Sequence, residues 1–133
     1  MKVMFQVLNS VQRILLSNKP LIKIEFKDSK GIDREAVIPT DSIFHAVKDV
    51  IIFEEYDRLG FLHKKLKLIV DAGAHVGLYS IKHASIAHKV IAIEPVPFNY
   101  KLLRININLN RLDNVYPLNV ALWRERRSDY GFG

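Results

Sequence analysis

The feature that most constrains this chain is a pair of short, apolar, β-branched runs separated by one helical stretch. "LKLIVDAG" begins at Leu66 and "KVIAIEP" at Lys89. Runs of this length without polar alternation are strands buried on both faces, as parallel sheets require. Between them, "HVGLYSIKHASIA" carries Val76, Tyr79, Ala84 and Ala87 toward one side of a helix. Beyond them, "PFNYKLLRININLNRL" sets Leu102, Ile105, Leu109 and Leu112 on one helical face and Lys101, Arg104, Asn108 and Arg111 opposite. "NVYPLNVAL" then supplies a third strand. Strands alternating with helices of this length define an α/β chain built from βαβαβ units with right-handed crossovers.

The preceding half reads differently. "MKVMFQVLNSVQRILLSNKP" has an amphipathic helical stripe of Met4, Leu8, Val11 and Leu15, stopped by Pro20. "LIKIEFKD" alternates apolar and charged residues with period two, Gly31 supplies a turn, and "REAVIP" returns, giving a β-hairpin from Leu21 to Ile38. Asp41 caps a mixed segment of short helix, short strand and short helix. The expected division is 1–60 for these N-terminal elements and 61–133 for the α/β part.

Composition narrows the function classes. The 133 residues include no cysteine, which excludes disulfides and thiolate metal sites and suits a cytoplasmic location. The five histidines show no ligand spacing, so no metal is expected. No apolar run is long enough to span a bilayer, and polar residues interrupt any signal-peptide core. A net charge of +6 allows an anionic partner, but the cations are scattered, so nucleic acid is possible without being favoured.

The chemistry concentrates at the passage from Asp71 to Gly77. Gly73 permits a sharp turn with positive φ and close approach of a ligand to the backbone. Gly77 opens the next helix, whose N-terminal N–H groups and dipole favour an anion or a polar group. The alternative is that the glycines serve tight helix–strand packing. The G-x-x-x-G spacing differs from the G-x-G-x-x-G of dinucleotide enzymes, which argues against NAD. Glu94 lies 23 residues after Asp71, at the end of the next strand. A carboxylate there can accept hydrogen bonds from both hydroxyls of a ribose held over the first turn. Phe98 either walls an adenine ring or begins the helix as a core residue.

These residues resemble a family. "VDAGAHVGLYSIKHA", "VIAIEPVPFNYKLLRININLN" and "NVYPLNVAL" look like the FkbM family of S-adenosylmethionine-dependent methyltransferases, over roughly Leu66 to Leu122. The resemblance implies a Rossmann-like methyltransferase fold, truncated after the third parallel strand and preceded by an N-terminal helix and β-hairpin. It implies S-adenosylmethionine as cofactor. Asp71, Gly73, His75 and Gly77 would line its methionine and ribose part, with Glu94 on the ribose. The implied reaction is O-methyl transfer to a sugar or small-molecule hydroxyl. No catalytic residue is assigned, because the chain ends before the family's acidic segment. The helix after Glu94 also resembles that of archaeal tRNA guanine methyltransferases, which makes an RNA methyltransferase the alternative. A third reading is a non-catalytic module. With the fourth strand missing, the Leu66–Asp71 strand would lose one neighbour. Its bare edge would be hidden by a homo-oligomer or by the chain's own hairpin.

Overall fold

The computed structural model describes residues 2–4, 19–48 and 64–123. Two three-stranded sheets enclose a layer of helices. The first sheet is antiparallel, β1 (Lys2–Met4), β2 (Leu21–Lys27) and β3 (Asp33–Pro39), in that order. A 3-10 turn at Thr40–Ser42 leads into a helical stretch, α1, over residues 43–48. The second sheet is parallel: β4 (Leu66–Ala72), β5 (Ala87–Ile93) and β6 (Val115–Leu118), again in sequence order. The helices α2 (Leu78–His83) and α3 (Pro97–Leu109) are its crossovers.

The sequence begins as a strand where a helix was expected. Lys2–Met4 pairs antiparallel with Lys23–Glu25 and satisfies the outer backbone groups of β2, a tertiary demand that overrides local helical periodicity. The remainder of the expected helix lies outside the described residues, as does the short strand and second helix expected after Asp41. Asp41 itself sits inside the 3-10 turn rather than capping it.

The hairpin forms where alternation placed it, and its turn is organised by one buried carboxylate. Asp28 Oδ1 accepts the Lys30 and Ile32 backbone N–H groups, both at 2.9 Å, and Oδ2 accepts Arg34 Nε at 3.0 Å. Cross-strand ion pairs Lys23–Glu35 and Lys27–Asp33 lie toward the outer face. The inner face, with Ile22, Ile24, Phe26, Ala36 and Ile38, packs against Val76, Leu78, Ile81 and Leu102.

Helix α3 is buried on two sides, not the single face that its period suggested. Leu102 belongs to the hairpin-side core, while Leu103 and Ile107 meet Ile69, Val90, Ala92 and Val115 of the parallel sheet. Leu109, expected inside, is exposed. Asn106 is fully buried instead. Its Nδ2 donates to Val37 O at 3.0 Å and Val76 O at 2.8 Å, and its Oδ1 accepts Val37 N–H at 2.7 Å. One turn later, Asn110 Oδ1 accepts Glu35 N–H and its Nδ2 donates to Glu35 O. Two asparagines at i and i+4 share a helix face. Glu35 and Val37, at i and i+2, present the free backbone edge of β3. The side-chain amides therefore take the place of a neighbouring strand.

Among the described residues β4 pairs only with β5, so it is an edge strand, as the loss of one neighbour implied. The hairpin does not cover that edge; it joins its own sheet and the helix layer. The expected homo-oligomer finds no support in these observations. On the outer face of the parallel sheet, Leu68, Val70, Tyr116 and Leu118 are roughly half exposed, and the Lys89 ammonium sits over the Tyr116 ring. No helix among the described residues is long and apolar enough to cross a membrane.

Candidate cofactor site

The turn after β4 is held from β5. Gly73 and Ala74 both donate their N–H groups to Ile93 O at 2.9 Å. The next N–H, of His75, donates to Glu94 Oε2 at 2.8 Å, and the other carboxylate oxygen accepts Val96 N–H at 2.8 Å. Glu94 is thus a buried clamp that joins the turn to the loop following β5. Each of its oxygens keeps a second lone pair for another donor. Asn119 Nδ2 donates to the Glu94 and Pro95 carbonyls and secures the same loop from β6.

The two glycines have separate jobs. Gly73 (φ 79°) is exposed, and a Cβ there would meet nothing within 4 Å. Gly77 (φ 93°) is buried, and a Cβ would lie 2.5 Å from Leu103 Cδ1. Gly73 therefore leaves room for a ligand, whereas Gly77 leaves room for helix α3. His75 also has positive φ, 53°, a conformation few non-glycine residues adopt and one found often at functional sites. Asp71 is turned to α2, where it accepts the Ser80 hydroxyl at 2.6 Å. Helix α2 runs only six residues before the 3-10 turn Ala84–Ile86, too short for much of the dipole expected at its start.

A cleft of about 620 Å³ opens beside the clamp. One wall comes from the end of the hairpin and the turn after it: Pro39, Asp41, Ser42 and His45. The other is His75, Val96, Phe98 and Asn99. Lys19 lines the cleft and pairs with Asp41 at 3.1 Å. That contact, opposed by partial desolvation and helped by the Ser42 hydroxyl and the His75 charge, holds the Asp41 carboxyl below its ordinary value. A lowered carboxylate contributes stability above its unfolded pKa and loses it as pH falls through the folded one. Both partners are well exposed, so the contribution is small.

Of the expected site residues, His75 and Phe98 line the cleft and Glu94 bonds two backbone groups of its walls. Asp71, Gly73, Gly77 and Glu94 itself lie outside the lining. Phe98 also packs on the hairpin-side core, the second of the roles weighed for it. The hairpin-side wall was not anticipated. Nothing in "IPTDSIFH" marks it, because those residues acquire meaning only when the hairpin closes on α3.

A parallel βαβαβ unit, with a glycine turn after its first strand and a buried acid closing its second, belongs to the Rossmann-like methyltransferase class that uses S-adenosylmethionine. The TRM5/TYW2 methyltransferase domain model matches residues 39–125, and the chain belongs to that family. The tRNA(Phe) (4-demethylwyosine(37)-C(7)) aminocarboxypropyltransferase of Methanocaldococcus jannaschii is 37% identical over 67 residues, 49% of this chain and 27% of that protein. The crystal structure of M. jannaschii TYW2 in complex with AdoMet has a TM-score of 0.53 and 28% identity. The match covers 72% of this chain and 42% of that one. A T. thermophilus 16S rRNA methyltransferase bound to AdoMet and guanosine superposes with a TM-score of 0.57 over 79% of this chain and 29% of its own. At 15% identity it shows the fold alone. The chain thus spans less than half the length of each of these relatives.

The resemblance to the FkbM family is corrected by the TRM5/TYW2 match. The misleading motifs mostly specify architecture. Gly77 admits Leu103, and Asn106 and Asn110 of "ININLN" bond β3. Such features set the fold and say little about the group that accepts the methyl. A sugar or small-molecule hydroxyl as acceptor loses its basis with that correction.

Proposed function

We propose that this chain binds S-adenosylmethionine in the cleft beside Glu94 and serves as the cofactor-binding part of a tRNA-modifying transferase. The observation that carries the reading is the Glu94 carboxylate, fixed between His75 N–H and Val96 N–H at the cleft with lone pairs to spare. A ribose over Gly73 would direct its two hydroxyls to that carboxylate, and Val96 and Phe98 would offer apolar surface to the base. Family membership supplies the reaction class. The cofactor's sulfonium is the source of the transferred group; a methyl and an aminocarboxypropyl group leave the same sulfur. The chain's own residues hold and orient the nucleoside, which is most of what such a transfer asks of a protein.

Calorimetric titration with S-adenosylhomocysteine tests this. Binding by the wild type is expected, with a loss of about tenfold or more in Glu94→Ala, because two backbone donors and the ribose lose their acceptor. Glu94→Gln keeps one acceptor oxygen and should fall between. Equal affinity in all three proteins would remove Glu94 from the site.

The tRNA part of the proposal rests on the family and on exposed cations, among them Lys64, Lys65, Lys67, Lys89, Lys101, Arg104 and Arg111. Binding to tRNA should weaken as salt rises, with log K falling by roughly 0.7–0.9 per phosphate neutralised for each log unit of salt. Affinity that does not respond to salt would count against contact through these cations.

A further inference from the structure

A second cavity, of about 300 Å³, lies at the opposite end of the parallel sheet from the glycine turn. Its walls are residues that lead into the strands: Lys65 before β4, Ser85 and His88 around the start of β5, Asp113 and Asn114 before β6. Arg34 of β3 closes it from the hairpin. A strand the length of β4 spans about 20 Å, so this cavity is separate from the cofactor cleft. It also lies at the end of the sheet that α/β folds do not ordinarily use for cofactors. Arg34 is fixed there by Asp28 through Nε at 3.0 Å, and its Nη1 reaches Asn110 O at 3.5 Å. Most of the guanidinium's N–H donors stay uncommitted among the described residues. Asn114 Nδ2 donates to Ala84 O at 2.8 Å and Ala87 O at 3.0 Å, which pins the loop before β6 to the turn before β5. Lys65 and His88 are exposed. The Ser85 hydroxyl is buried with no hydrogen-bond partner among the described residues, a condition that calls for a partner from outside the chain.

We propose that this cavity is a phosphate site, and that the phosphate it takes is a phosphodiester of an RNA backbone. Arg34 supplies a planar fork already set in place, Lys65 a point charge on a flexible stem, and Ser85 and His88 further donors. Donors converging on one cavity from the hairpin and from the entrances to β4 and β5 suit a tetrahedral oxyanion. Asp113, also in the lining, is the like charge such an anion meets. It weakens the site, and it favours a singly charged phosphodiester over a doubly charged free phosphate. The site does not depend on the cofactor cleft; it rests on the tRNA reading only for the source of the phosphate.

Filter binding of an unmodified tRNA transcript, and thermal unfolding in inorganic phosphate against chloride, separate the two sources of the anion. Both are run on the wild type, Lys65→Met, Ser85→Ala and Asp113→Asn. Lys65 and Asp113 are exposed and Ser85→Ala removes an unsatisfied group, so the fold is not threatened; the melting temperatures in chloride check this. Lys65→Met and Ser85→Ala should each weaken tRNA binding by about two- to tenfold, and Asp113→Asn should tighten it by roughly two- to fivefold. Ser85→Ala is decisive, because it changes no charge and binding through scattered cations would not register it. Phosphate stabilises proteins generally by exclusion from their surface. Only an increment that Lys65→Met and Ser85→Ala both lose belongs to the cavity. Such an increment with tRNA affinity unmoved supports the site and overturns RNA as its source. Unmoved tRNA affinity with no variant-dependent increment overturns the inference and leaves the tRNA reading in place. If the wild type binds no tRNA, that reading falls, and the phosphate increment alone decides the site.

Discussion

Asn106→Leu should destabilise the folded chain by about 3 kcal/mol or more, since it strands three buried backbone groups at a cost of roughly 1–3 kcal/mol each. Those groups are Val37 N–H, Val37 C=O and Val76 C=O. Leucine has nearly the right volume, so little of the loss would come from a cavity. Asn106→Asp should be at least as damaging. It keeps an acceptor for Val37 N–H but turns a second oxygen toward two carbonyl oxygens. Urea unfolding of the three proteins reads the effect as a shift in midpoint at similar slope. A change below about 1 kcal/mol in both variants would mean that the amide does not carry the hairpin–helix contact.

The second large effect separates Gly73 from Gly77. Gly77→Ala puts a Cβ 2.5 Å from Leu103 Cδ1 at a φ of 93°. Leu103 is fully buried, so moving its methyl displaces other core side chains. Overpacking costs about 1–3 kcal/mol and the left-handed backbone about 1–2 more, so this variant should be strongly destabilised or fail to accumulate. Leu103→Ala in the same background should recover part of the clash, though not the backbone strain. Gly73→Ala meets only the backbone term, about 1–2 kcal/mol, because its Cβ would project into open space. It should fold and still lose affinity for S-adenosylhomocysteine if the ribose rests on that turn. Similar melting temperatures for the two alanine variants would contradict the division of labour.

Much of the architecture was legible because it depends on local pattern. The apolar runs at Leu66 and Lys89 could only be strands, though the first of them, expected to be buried on both faces, buries Ile69 alone and leaves Leu66, Leu68 and Val70 exposed; "LIKIEFKD" could only be half-buried. Positions decided by distant partners were not. Lys2–Met4 is a strand because β2 has an edge to satisfy. Asn106 reads as a polar interruption in an amphipathic helix until a second sheet lies on that side. The same holds at the site: Glu94 is announced by its place after an apolar strand, whereas Asp41, Ser42 and His45 depend on a hairpin 30 or so residues away from the turn that they face. Confusion over the family has a similar origin, since the most visible motifs are those that build the shared fold.

The helices α2 and α3 have sheet on both sides, with β2 and β3 above and β4 to β6 below. In a doubly wound domain the parallel sheet would ordinarily carry helices on each face. Among the described residues, one of those berths is already filled by the helices beneath the hairpin. The other berth is the face that carries Leu68, Val70, Tyr116 and Leu118, apolar side chains left roughly half exposed among the described residues, whereas the filled one is roofed by an antiparallel sheet.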